Sequence, residues 1–279
     1  MKQRGFTGSP GGRPWSGCVR GSSLLALLLL ALPALAAAAP ARIVSMNPCT
    51  DAILVAVADA GQIAAISHWS HDPAATSLPL AVATRFPAQG GTAEEVIARR
   101  PDLVILSPHT PLATKSALGR LGIATLEVGV PNSVAESVGQ VRAIAAAAGH
   151  PARGEALAGA ISAAVAAARR PGPPQPALMR MASGLVPGPG TLADALMANS
   201  GLRSLAPRYG LARWDVLPLE PMAADPPRLL LTDRPEALHP IVSRLMIRVV
   251  PFDRQLLNCG GPSIIAASRR LAAIRDGRP

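Results

Sequence analysis

Strand–helix alternation on both sides of one alanine-rich segment predicts an α/β protein of two lobes held apart by a single long helix. Three observations carry this. Pro151 to Arg170 (PARGEALAGAISAAVAAARR) opens with a proline suited to a first helical turn and ends before the breaker PGPPQP. As a helix from Ala152 it would run roughly 28 Å, about the width of a small domain. Each flank alternates apolar strands with helical stretches over a length sufficient for its own lobe. The flanks also echo each other. Glu94 is followed, after six intervening residues, by Pro101 and the apolar run DLVIL, and Glu220, after six, by Pro227 and RLLLT. An acid opening a short helix that a proline ends is common once; two copies around one rod point to paired lobes.

Taken in order, Ala41–Met46 reads as a buried strand, and Asn47-Pro48-Cys49-Thr50-Asp51 as a turn capping the apolar helix AILVAVAD. Gln62–Ser67 is a second strand, and HWSHDPAATSLPLAVATRFPAQGG a long polar loop. Thr92–Arg100 is a short helix with Glu94 and Glu95 in its first turn, where the helix dipole favours acids. The strand DLVIL, a loop, a helix to about Arg120 and the strand ATLEV follow in a parallel-sheet pattern. Asn132 or Ser133 caps the next helix, Ser133 and Glu136 having capping-box spacing, and it runs to Gly149. Beyond the connector come the strand PALMRMA, a glycine-rich loop, the helix TLADALMANSG, and a loop with Tyr209 and Trp214. A short helix around Leu219–Ala224, the strand RLLLT, a helix-like stretch, the strand IRVVPF, a loop and the helix SIIAASRRLAAIRD complete the chain. The expected divisions are residues 40–150, 151–170 and 171–279, behind an export segment over 1–38.

That segment combines Lys2, Arg4, Arg13 and Arg20, with no acid, and the 16-residue apolar run Leu24–Ala39, followed by small-residue cleavage choices. The run is short for a membrane span, so export into a periplasm-like space as a soluble protein is expected. The chain has 27 Lys+Arg against 17 Asp+Glu; without those four bases 23 remain, scattered and in no block. Such a distribution argues against a nucleic-acid partner.

No G-x-S-x-G or G-x-x-x-x-G-K-[ST] motif is present, and no pair of acids or histidines is placed for acid–base work. Loops at the carboxyl ends of parallel strands form the usual ligand crevice. They gather Asn47, His68, Trp69 and His109 from the first half, and Tyr209, Trp214 and Arg254 from the second. One tryptophan per half suits a large, flat, partly apolar ligand gripped from both sides, though tryptophans also plug gaps at lobe edges. His68 and His71 could form half of a metal site if their loop turns helically. Cys49 and Cys259 fall in crevice loops of opposite halves. A disulfide is the default in an oxidising compartment; two buried thiols, or two thiolates facing a ligand, are the alternatives.

RIVSMNPCTDAIL, EEVIARRPDLVIL, GTLADALMANSGL, LPLEPMAADPPRLLL and NCGGPSIIAASRRLAA, in this order around the connector, resemble the periplasmic substrate-binding proteins of ABC importers for cobalamin, ferric siderophores and heme. The resemblance covers essentially the whole chain after the export segment. It implies the class III architecture, two Rossmann-like lobes joined by one long helix with limited hinge motion, and a monomer that does no chemistry. Glu94 and Glu220 match the family's two surface acids, which pair with arginines on the dimeric permease of the inner membrane. Trp69 and Trp214 fall where the family places ligand-contacting aromatics. The ligand implied is a small-molecule metal chelate, with no further cofactor. Thr232–Arg248 is shorter than usual, so a helix of the second lobe is expected to be reduced or missing. Leu257 stands where relatives carry a bulky aromatic. A receptor for bare zinc or manganese on the same fold, held by His68 and His71, and an exported Rossmann-like enzyme of unknown reaction are the competing readings.

Overall fold

The computed structural model describes residues 39–257 and 259–278. The expected export segment, residues 1–38 with Cys18, lies outside them. Among the described residues no helix is long and apolar enough to cross a membrane.

The first half builds a sheet from β1 (Ile43–Ser45), β2 (Ile63–Ser67), β3 (Ala88–Gln89), β4 (Leu103–Leu106) and β5 (Ala124–Glu127), in the order β3-β2-β1-β4-β5. All neighbours are parallel. β1 and β4 are buried throughout, as runs such as LVIL require in a strand covered on both faces. The helices between strands are α1 (Pro48–Val57), α2 (Leu80–Ala83), α3 (Ala93–Ala98) and α4 (Leu112–Arg120), and α5 (Val134–Ala147) follows β5. Their starts are chemically marked. Asn47 caps α1, Thr92 caps α3, and Ser133 caps α5 by accepting from the Glu136 amide at 3.1 Å. Glu136 reaches back to the Asn132 amide at 2.8 Å, one residue earlier than a standard capping box.

After α6 (Pro151–Ala168) the second half repeats the plan with β6 (Gln175–Met179), β7 (Leu185–Pro187), α7 (Leu192–Asn199), β8 (Leu202–Ser204), β9 (Trp214–Val216) and α8 (Leu219–Ala224). β10 (Leu229–Thr232), β11 (Arg248–Pro251) and α9 (Ser263–Arg275) complete it. Its parallel sheet has the order β11-β10-β6-β8, and β7 with β9 forms a separate antiparallel ribbon. Matching β6, β8, β10 and β11 to β1, β2, β4 and β5 gives the same neighbour order in both sheets. The repeat that two short motifs suggested therefore extends to the topology.

The helix-like stretch before β11 is reduced, as the resemblance implied, to two 3-10 turns, Pro235–Ala237 and Pro240–Arg244; Pro240 has no amide hydrogen with which to continue a helix from the first turn. The structure corrects the sequence reading in two places. The short strands β3, β7, β8 and β9 lie in segments read as loops. And α6 joins the halves without holding them apart. Its buried residues, Gly154, Ala158, Ile161, Ala164 and Ala168, form one stripe that packs against α5 and α9. Gly154 allows this closeness, since a β carbon there would lie 2.5 Å from that of Ala145. One buried apolar cluster runs from Ile43 and Ile53 through Ile161 to Met179 and Leu271. Beyond the helix end, Arg170 grips Asp276 with two hydrogen bonds of 2.7 and 2.8 Å, tying the connector to the end of α9.

Candidate functional site

In both parallel sheets the strand order reverses beside the first strand, between β1 and β4 and between β6 and β10, which is where ligand crevices of such sheets open, outside the carboxyl ends of the strands. In the first half the loop after β1 serves mainly to start α1. The Asn47 side chain accepts from the Cys49 amide at 3.0 Å and donates to the Val128 carbonyl at 3.4 Å, so both ends of its amide are engaged. Asp51, one turn into α1, is fully buried. Its Oδ2 accepts from the Ser67 amide at 3.0 Å and from the Ser70 hydroxyl at 2.6 Å, while Oδ1 has no partner. Burial outweighs the lowering effect of Ser45, Ser70 and the Ser67 amide, and the carboxyl is pushed up to about 7. Asp51 thereby pins the 3-10 turn His68–His71 that follows β2. On that turn Trp69 is 52% exposed, its ring tilted against His68 with centroids 4.7 Å apart.

His68 and His71 do share a helical turn, but their rings face different backbone carbonyls. His68 Nδ1 lies 3.2 Å from the Gln89 oxygen, and His71 Nε2 lies 3.2 Å from that of Phe86. Among the described residues, no three metal-ligating side chains converge. His109 is exposed on the turn after β4, where its amide donates to the Ser107 hydroxyl at 3.1 Å.

In the second half Trp214 stands on the antiparallel ribbon opposite Pro187, 46% exposed. Tyr209 is turned to another use: its hydroxyl donates to the Asp225 carbonyl at 2.6 Å and its ring packs on the core beneath α8. Arg254 opens a 3-10 turn, with Nε 3.9 Å from the buried Asp233 carboxylate and no closer partner for that nitrogen.

Cys49 and Cys259 form a disulfide between the halves, with Cα atoms 4.9 Å apart. Beside it lies a hollow of about 310 Å³. Val130, Pro131 and Asn132 line it from the first half, and Met181, Leu185, Leu192, Trp214, Arg254, Leu257 and Cys259 from the second. Wider grooves of about 600 Å³ along α6 and α9, and about 780 Å³ beside Asp253 and Arg270, draw on neither set of first-half crevice loops. A more open, polar hollow of about 540 Å³ adjoins Arg254 from the other side, between Pro73 and Asp233. Of the residues singled out in the sequence, the structure brings Trp214, Arg254, Leu257 and Cys259 to the 310 Å³ hollow. Asn47 touches it only through the segment it braces, and His68, Trp69, His109 and Tyr209 do not line it. Val130–Asn132 and Met181 were missed; Asn132 carried a signal only as a helix cap.

Glu94 and Glu220 are exposed in the first turns of α3 and α8, and neither carboxylate has a hydrogen bond or ion pair with another described residue. α3 leads into β4, the neighbour of β1, and α8 into β10, the neighbour of β6, so the two acids hold matching positions.

The family model described as periplasmic binding protein matches residues 43–240. No curated protein shows significant sequence similarity. Among solved structures, the chain is similar to the periplasmic heme-binding protein RhuT from Roseiflexus sp. RS-1, at 22% identity and a TM-score of 0.66, over 84% of this chain and 98% of that one. It is also similar to the heme-binding protein HutB of Vibrio cholerae (18%, TM-score 0.69, covering 84% and 98%). The vitamin B12 binding protein BtuF of Vibrio cholerae aligns at 16% identity and a TM-score of 0.68, covering 85% and 97%. At these identities the likeness establishes the shared fold.

Proposed function

The chain belongs to the periplasmic binding protein family, and on that premise we propose that it is the solute-binding component of an ABC importer, carrying a metal chelate to a dimeric permease. The halves, 40–150 and 171–279 about the connector 151–170, grip the cargo and release it without chemistry. The protein acts as a monomer in the periplasm after its leader, 1–38, is removed. The observation that carries this reading is the hollow to which both halves contribute, apolar over most of its wall, with one indole and one guanidinium. Such a lining suits an organic ligand with a flat apolar edge and an acid group. The hollow's volume equals about ten waters' worth of liquid, enough for an edge or side arm of a macrocycle. Glu94 and Glu220 dock the loaded protein on arginines of the two permease subunits. That the neighbours are named for heme and vitamin B12 supports the chelate class.

The test is titration of the purified protein with cyanocobalamin, hemin and a ferric siderophore, following quenching of Trp69 and Trp214. Saturable one-to-one binding of one of them is expected, and indifference to all three would reject the reading.

A further inference from the structure

Arg254–Leu257 and Cys259–Gly261 belong by sequence to the second half, where Ser263 of α9 donates to the Cys259 and Gly260 carbonyls at 2.8 and 3.2 Å, yet further contacts tie them to the first. Cys259 is bonded to Cys49 at the start of α1. The Gly261 amide donates to the Ser137 hydroxyl of α5 at 2.7 Å. A β carbon on Gly260 would lie 2.5 Å from the Ser137 oxygen, and one on Gly261 would lie 2.6 Å from Ile53. At the other end the Gln255 side chain donates to the Pro73 carbonyl at 3.1 Å, and its own carbonyl accepts from the Ser77 hydroxyl at 2.6 Å. Between these anchors the same segment sends Arg254, Leu257 and Cys259 into the wall of the 310 Å³ hollow. A wall that the chain supplies from one half is thus held in place by the other.

We propose that the Cys49–Cys259 bond, seconded by Ser137, is a positioning device for the solute site: it holds this strap at a fixed distance from Val130–Asn132 and so sets the hollow's width and the placement of Arg254. The inference rests on the reading of this hollow as the solute site. Among the described residues, the other anchors to the first half are neutral hydrogen bonds, which water can replace, and close packing, which holds only while the halves stay together. The covalent bond is the one of these that survives a momentary separation. Its place on the hollow's wall, at the amino end of α1, ties its integrity to the solute contacts directly.

Hydrogen exchange on the Cys49→Ser/Cys259→Ser variant, compared with the bonded protein, decides the positioning part. Exchange in the strap peptides and in residues 130–132 is expected to rise at least tenfold, while β1, β4, β6 and β10 stay protected. Unchanged strap exchange overturns the proposal; so does acceleration of all strands together, since the bond would then serve the fold at large. Titration with cyanocobalamin and hemin decides the solute part. Whichever probe the bonded protein binds is expected to bind the opened variant at least tenfold more weakly, and Ser137→Ala, with the bond intact, a few-fold more weakly. Equal affinities refute a role in the site. If the bonded protein binds neither, the ferric siderophore serves as the probe; if it binds none of the three, the solute reading falls with that result, and hydrogen exchange alone decides the strap.

Discussion

Asp51 makes the folded protein sensitive to pH in a calculable direction. Its carboxyl is raised by burial from 3.8 to about 7. A raised acid keeps its proton in the folded chain at pH values where the unfolded chain has released it. Between about pH 4 and 7 the folded state therefore binds more proton than the unfolded state, and stability falls as pH rises through that window. Below it the contribution is fully present; above it the penalty is constant. Three units at 1.36 kcal/mol each make the loss about 4 kcal/mol. The geometry accommodates the neutral acid, since Oδ2 can keep its bonds from Ser67 and Ser70 while the proton sits on the partnerless Oδ1. Asp51→Asn preserves size and an acceptor but does not titrate. Urea unfolding of both proteins from pH 4 to 8 isolates the effect, because every other group titrates in both. The stability of the natural protein minus that of the variant should drop by about 4 kcal/mol between pH 4 and 7.5 and then level off. Parallel curves across that range would show that Asp51 is already charged in the fold, and the argument from burial would fail.

Three further outcomes are expected. Gly261→Ala places a β carbon 2.6 Å from Ile53 at a φ of +68°, which should cost about 2–4 kcal/mol, read as a lower Tm in calorimetry. Trp214→Ala, at the hollow, should weaken solute binding roughly tenfold or more, and Trp69→Ala, which lies outside the hollow, by less; titration calorimetry with the probe that binds distinguishes them. Glu94→Lys with Glu220→Lys should abolish uptake in cells while leaving solute affinity within about twofold, because charges at such a rim set orientation and encounter rather than the solute contacts. Undiminished uptake would remove both acids from the docking surface.

What could be read from the sequence was what local chemistry dictates. EEVIARRPDLVIL folds as read because the first-turn acids, the proline stop and the unbroken apolar run all favour the same helix-then-strand. The stretch between β10 and β11 reads only as helix-like, and it folds as two 3-10 turns, each opening on a proline. β7, β8 and β9 are three-residue strands beside glycines and prolines, and their pairing comes from tertiary contact rather than propensity. At the site, the scarcity of tryptophan made Trp214 conspicuous. Tyr209 shared the same cues, aromatic and in a loop, but nothing local reveals that its hydroxyl is spent on the Asp225 carbonyl. The strap was beyond reach for a similar reason: Ser77 and Ser137 meet it across 178 and 124 residues of chain.

The matching sheet orders separate two kinds of feature. β2-β1-β4-β5 in one half corresponds to β8-β6-β10-β11 in the other, so a position set by that shared plan has an equivalent in the other half. Glu94 and Glu220 are of this kind, each opening the helix that feeds the strand beside the first. A duplicated acid is the feature that a symmetric partner can read, since one operation on the partner brings each of its subunits to one copy. The strap has a counterpart in position but not in chemistry: the loop from β5 to α5 stands in the equivalent place and brings Val130, Pro131 and Asn132 to the hollow, with neither an arginine nor a cysteine. The strap crosses from the second sheet to the first, carries Arg254 and Leu257 to the hollow and ends in the disulfide, all on one side of the pseudo-symmetry. A solute rarely shares the symmetry of its receptor, so the residues that select it are expected among the unpaired features. By this argument, substitutions at Arg254 or Leu257 should change which chelate is bound without affecting docking, and substitutions at the duplicated acids should do the reverse.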